Sequence, residues 1–88
     1  MAQMKVRKPA PQEIIDSKSW STWSKEPSIF DWHYNNREFC YILEGEASVS
    51  DTLGNTIQFK AGDFVIFEQG LQCMWEIRIA IKKKYIFE

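Results

Sequence analysis

From Ile29 to the C-terminus the chain alternates in twos. Phe30, Trp32 and Tyr34 are apolar, while Asp31 and His33 between them are polar. A period of two marks a strand with one buried face. Asn35-Asn36 then reads as a turn. Phe39–Glu44 is a rich strand closed by Gly45, and Ala47–Ser50 follows. Residues 51–55 form a hairpin loop, with Gly54 available for positive φ. Thr56–Phe59 is the return strand. After the turn Ala61-Gly62-Asp63 come the strand Phe64–Phe67 and a further turn, Glu68-Gln69-Gly70. Gln72–Ile79 and Ile81–Phe87 close the chain. Short strands punctuated by glycine turns predict an all-β sandwich or barrel.

The first 27 residues have a different texture. Lys5–Lys8 is a short strand-like stretch, and Pro9 and Pro11 follow. Pro11 with Gln12 and Glu13 predicts the first turn of a brief helix, because proline suits an early helical position and acids favour the N-terminal end. Ile14 and Ile15 would be its buried side. Ser17, Ser19, Ser21, Thr22 and Ser24 end it, since such side chains compete with the backbone for its hydrogen bonds. Trp20 and Trp23 in that polar stretch read as ring anchors holding it on the domain. The chain is therefore expected as a single domain over 1–88, with an N-terminal arm and packing segment over 1–27 and a β-barrel core over 28–88.

Eighty-eight residues allow one modest core and no second domain. Aromatic residues make up 15% of the chain, which implies a tightly filled core, a ring-lined cavity, or both. Eleven basic residues face twelve acidic ones, a net charge of −1 that argues against a nucleic-acid footprint. No apolar run approaches the roughly 18 residues that span a bilayer. No apolar stretch follows the N-terminal charges, so no secretory signal is read and the expected compartment is the cytoplasm. Cys40 and Cys73 suit that setting as two buried thiols rather than a disulfide.

The acids and glycine turns also carry a family likeness. The run Glu38-Phe-Cys-Tyr-Ile-Leu-Glu-Gly45, and then Gly62-Asp63 through Glu68-Gln69-Gly70 to Cys73, resemble the two motifs of the cupin superfamily, the small jelly-roll barrels. The likeness covers roughly residues 28–80. Phe30-Asp31-Trp32, Gly70-Leu71-Gln72-Cys73-Met74-Trp75 and Lys83-Lys84-Tyr85 are similar to short single-domain cupins of unknown function, near the ureidoglycine aminohydrolase and ethanolamine-utilisation cupins. The resemblance implies a small cupin jelly roll and a homodimer paired through its sheets. It implies no single activity, because cupins host enzymes, sugar binders and regulators alike.

A metal-binding cupin would have two histidines one residue apart shortly before the glutamate, and a third histidine in the second motif. Here those places hold Trp32 and Tyr34, or Asp31 and His33 on an alignment one residue longer. The third place is Cys73, and the usual proline of the second motif is Glu68. Strand parity favours rings inward: exposing three large apolar side chains would forgo about 1.5–3 kcal/mol each. Asp31 and His33 then point out. A bulge near Asn35-Asn36 would reverse the facing set and gather Asp31, His33, Glu38 and Cys73 into a ligand set suited to zinc or iron.

With the rings inward, Trp32, Tyr34, Glu38, Cys40, Cys73 and Trp75 share the barrel interior and are the candidate ligand-binding residues. An apolar wall tolerates Glu38 only if the acid is paired or protonated. Glu38 is therefore the working residue of a pocket or a satisfied structural acid. Its candidate partners are the hydroxyls of Tyr34 and Tyr41, indole N–H groups, Arg37 or Arg78. Cys40 and Cys73 pack as small hydrophobes. Lys82-Lys83-Lys84 reads as a solvated edge strand that blocks further pairing. No catalytic residue, cofactor or bound metal is predicted. The first functional reading is a metal-free binding module for a small polar organic molecule. The alternative is a cupin enzyme of nitrogen or carbohydrate metabolism, metal-dependent through Asp31, His33, Glu38 and Cys73.

Overall fold

The computed structural model describes residues 3–88. Seven strands and one short helix follow in the order β1 (Met4–Arg7), α1 (Pro11–Ser17), β2 (Ser21–Lys25), β3 (Ser28–His33), β4 (Glu38–Asp51), β5 (Thr56–Lys60), β6 (Phe64–Phe67) and β7 (Gln72–Phe87). Every strand pairing is antiparallel. The fold is all-β, as the alternation and glycine turns imply.

Two long strands organise it. The N-terminal part of β4 pairs with β6, and its C-terminal part pairs with β5. The C-terminal part of β7 pairs with β2, and its N-terminal part pairs with β3. Strands β4 and β7 pair with each other throughout, with register slips between Ile42 and Ala47. One layer is therefore β1-β6-β4-β7-β2, and the other is β5-β4-β7-β3. Both long strands bend where they pass from one layer to the other. Gly45 permits the bend. Its φ is +97°, and a side chain there would fall on the Ala80 carbonyl of β7. Irregular pairing of this kind bends and twists a strand. The sequence shows only the glycine; it implies two strands on either side of Gly45 where the structure has one bent strand.

The N-terminal segment is more than an arm. β1 pairs with β6 and β2 pairs with β7, so residues 3–27 supply two of the seven strands. Ser21–Lys25 is a strand despite its hydroxyls, because partner β7 supplies the hydrogen bonds that those side chains would otherwise take. The helix also departs from expectation. Ile14 and Ile15 are exposed, and Ser17 is its buried residue. A helix of two turns has little face to bury, and here it is pinned by charge: Arg7 donates two hydrogen bonds of 2.7 Å to the Glu13 carboxylate.

The core is a ring cluster around Trp75, which is 1% exposed. Phe30 stacks on it at 5.9 Å, while Phe59 and Trp23 meet it edge-on at 5.4 and 5.8 Å. Offset and edge-to-face pairs of this kind add about 0.5–1.5 kcal/mol each beyond their buried area. The cluster joins rings from β2, β3, β5 and β7, and so spans both layers.

Candidate functional site

Glu38 begins β4, in register with Phe67 of β6 on one side and Phe87 of β7 on the other. Strand alternation turns Glu38, Cys40 and Ile42 inward together, and all three are buried. Lys83 lies in β7, opposite Ile42 on β4 and Trp23 on β2. It shares its inward face with Ile81 and is 4% exposed. The reading of Lys82-Lys83-Lys84 as a solvated edge strand is thus corrected. β7 is flanked by β4 and β2 at that point, so pairing covers it on both sides. Pleating leaves Lys82 exposed and sends Lys83 inside.

The two side chains meet. Lys83 Nζ lies 3.2 Å from Glu38 Oε1 and 3.1 Å from Oε2. The Tyr34 hydroxyl donates to Oε1 at 3.0 Å. The ammonium also lies over the rings of Trp23 at 4.7 Å, Trp75 at 4.8 Å and Tyr85 at 5.7 Å. The carboxylate receives charge-assisted donors, and the ammonium sits on electron-rich ring faces. Burial, reinforced by the Glu38 charge, pushes the Tyr34 phenol well above its ordinary range, so it stays a donor. Tyr34 is held in place by stacking on Phe67, with centroids 4.8 Å apart, and by backbone bonds to Leu71 and Gly70.

Above this trio is a cavity of about 230 Å³. Trp23, Phe30, Trp32, Trp75, Tyr85 and Phe87 wall it, and Tyr34, Glu38 and Lys83 form its polar floor. Trp32 and Phe87 are 47% and 48% exposed, so they stand at the mouth. A second hollow, lined by His33, Asn35 and Asn36, shares Trp32, Tyr34 and Phe87 with the first.

Of the six residues read as ligand-binding, Trp32, Tyr34, Glu38 and Trp75 border this cavity; Cys40 and Cys73 do not. Cys40 is fully buried, donating its thiol to the Val65 carbonyl, and burial pushes that thiol up to about 12. Cys73 contacts the Trp32 carbonyl, and burial pushes its thiol up to about 11. Trp32 is at the rim rather than inside: it lies near the end of β3, 47% exposed, whereas Phe30 two residues earlier packs against the core. Asp31 and His33 are exposed, and His33 Nδ1 meets Gln72 Oε1 at 3.2 Å. Arg37 pairs with Glu68 and Glu88, and Arg78 donates to Ser48, so neither serves Glu38. The partner missed in the sequence is Lys83. The alternation Ile81, Lys83, Tyr85 was a usable signal, since it puts the lysine among apolar residues facing inward. Trp23, Phe30, Tyr85 and Phe87 were missed as lining residues with it.

The bent two-layer barrel and its inward acid define a small cupin, and the comparisons agree. The chain belongs to the family of EutQ-like cupin domains, whose family model matches residues 14–85. It is similar to a DUF861 family protein of Thermotoga maritima, with 37% identity over 97% of this chain and 99% of that one and a TM-score of 0.92. The EutQ protein of Clostridium difficile has the same fold at 15% identity, covering 96% of this chain and 66% of that one, with a TM-score of 0.70. So has a cupin superfamily protein of Desulfitobacterium hafniense, at 16% identity over 97% of this chain and 76% of that one, with a TM-score of 0.64. No match was found among curated proteins.

The residues present do not fit the metal that many cupins hold. Among the described residues no three His, Cys, Asp or Glu side chains converge. Asp31 and His33 are on the outer side of β3, away from Glu38. The Glu38 carboxylate is engaged by a buried ammonium, a cation already in the position of a carboxylate's metal partner. Among the described residues no helix is long and apolar enough to cross a membrane.

Proposed function

We propose that this cupin is a metal-free binding module that holds a small polar organic molecule in the ring-walled cavity above Glu38, Lys83 and Tyr34. The observation that carries this reading is a buried ion pair at the base of an open cavity. Removing two charges from water costs several kcal/mol per ion, and a well-packed apolar pair of similar volume is often as stable or more so. A barrel needing only stability has no use for such a pair beneath an unfilled space. A concave apolar site with a few convergent polar groups is the usual form of a small-molecule site. The rings supply contact area, and the three polar side chains supply orientation.

The test is a thermal-shift screen of polar organic compounds, run beside elemental analysis of protein purified without a metal-chelate column. A compound that raises Tm in the native chain and not in Trp32→Ala supports the reading. Close to one bound Zn, Mn, Fe or Ni per chain, lost in Glu38→Ala, would overturn it.

A further inference from the structure

We propose that the cavity floor recognises a neutral amide, a primary carboxamide or lactam on a flat body, in preference to a carboxylate or an amine. The inference rests on the binding-module reading above and names the class of molecule bound.

Hydrogen-bonding capacity is the first argument. A lysine ammonium has three N–H donors and no acceptor, and a carboxylate offers about four lone-pair positions. Among the described residues, Lys83 Nζ has only the two Glu38 oxygens as polar partners. At least one N–H is therefore left facing rings. Glu38 Oε1 accepts from both Tyr34 and Lys83, whereas Oε2 accepts from Lys83 alone. An open acceptor and an open donor thus lie side by side, with Nζ and Oε2 3.1 Å apart. An amide carries the complementary pair on adjacent atoms: its carbonyl oxygen accepts from Lys83, and its N–H donates to Glu38.

Charge is the second argument. The Glu38–Lys83 pair is neutral as a whole, and both side chains are 5% exposed or less. A carboxylate drawn to Lys83 would be repelled by Glu38, and an amine drawn to Glu38 would be repelled by Lys83. Either would also carry an uncompensated charge into a poorly hydrated site. A neutral amide meets neither penalty.

The walls select the body. Phe30 and Trp75 stack on each other and Trp32 stands half-exposed at the mouth, so an aromatic body gains ring contact along the walls. The volume of about 230 Å³ lies below the roughly 300–1,000 Å³ of sites for drug-sized ligands, so the body is small.

Three probes of nearly equal shape separate the classes: benzamide, benzoate and benzylamine. Their affinities for the native chain at pH 7 can be read by tryptophan fluorescence and checked by calorimetry. Benzamide should bind at least about tenfold more tightly than either charged probe. Glu38→Gln keeps the shape of the floor and leaves it with the Lys83 charge alone, so the preference should turn towards benzoate. If benzoate or benzylamine matches benzamide on the native chain, and Trp32→Ala abolishes that binding, the amide inference is overturned while the binding module stands. If none of the three binds, the inference is likewise overturned. With the wider screen empty as well, the binding module falls too. The native-chain ranking decides the matter even if Glu38→Gln fails to fold.

Discussion

Lys83 and Glu38 are 45 residues apart in the chain, yet the lysine ammonium bridges both oxygens of the glutamate inside the barrel. They are not directly opposed across the ladder. Glu38 is registered with Phe87, and Lys83 with Ile42. The lysine side chain therefore runs along the strands, past the Cys40–Tyr85 step, to reach the carboxylate. A long flexible stem makes this possible, and ring faces on three sides keep it there.

Breaking that pair from one side should be worse than removing it. Lys83→Met leaves a buried carboxylate with only Tyr34 to hold it, and should cost about 3–5 kcal/mol in urea denaturation. Adding Glu38→Gln to Lys83→Met removes the orphaned charge and should recover much of that loss. A double variant no more stable than Lys83→Met would show that the two charges are not coupled.

Gly45 and Gly54 both have positive φ, +97° and +88°, but only Gly45 faces backbone at close range. Gly54→Ala should cost no more than the left-handed strain of a side chain, roughly 1–2 kcal/mol. Gly45→Ala adds a clash with the Ala80 carbonyl and should cost clearly more, with Tm falling further. Equal losses would mean that the bend between the layers does not depend on that close approach.

Trp75 and Trp32 should separate stability from binding. Trp75 is at the centre of the ring cluster, and Trp75→Ala should cost about 3–5 kcal/mol. Trp32 is half-exposed, so Trp32→Ala should cost far less and chiefly lower ligand affinity. Denaturation curves on both variants, with and without a ligand from the screen, give the comparison. A large stability loss in Trp32→Ala would place that ring in the core instead.

The thiols should be inert in the folded chain. Burial holds Cys40 near 12 and Cys73 near 11, so both are protonated at neutral pH and lack the reactive thiolate. A disulfide-exchange reagent at pH 8 should label neither cysteine natively and both in denaturant. Rapid native labelling of one thiol would contradict that burial.

The pair Arg7–Glu13 should give a small pH dependence of stability. The Arg7 guanidinium, chiefly through hydrogen bonding, lowers Glu13 from an ordinary 4.5 to about 2. A lowered folded value means that the stabilisation is present above pH 4.5 and fades as pH falls towards 2. Because the pair is partly exposed, its worth is about 0.2–1 kcal/mol. Glu13→Gln should lose that amount at pH 7 and progressively less as pH falls from 4.5 towards 2, measured as the difference in unfolding free energy from the native chain.

The chain's own pattern determined much of this protein. The alternation of Phe30, Trp32 and Tyr34 with Asp31 and His33, and turns at the glycines, are local facts, and they suffice for an all-β barrel. Parity within one strand likewise put Asp31 and His33 on the outer side. What the sequence could not show is which strands lie beside which. Lys82-Lys83-Lys84 has the composition of a solvated edge, and only the pairing of β7 with both β2 and β4 makes its middle residue a core cation. The hydroxyl-rich stretch Ser21–Lys25 has no strand pattern of its own and becomes a strand by hydrogen bonding to β7. Trp32 obeys the inward parity of its strand but is left at the rim, because it lies near the end of β3, past the ring cluster that covers Phe30. Each of these outcomes depends on partners far away in the chain. Local propensity acts over a few residues, whereas burial and pairing are set by whatever the whole fold brings alongside.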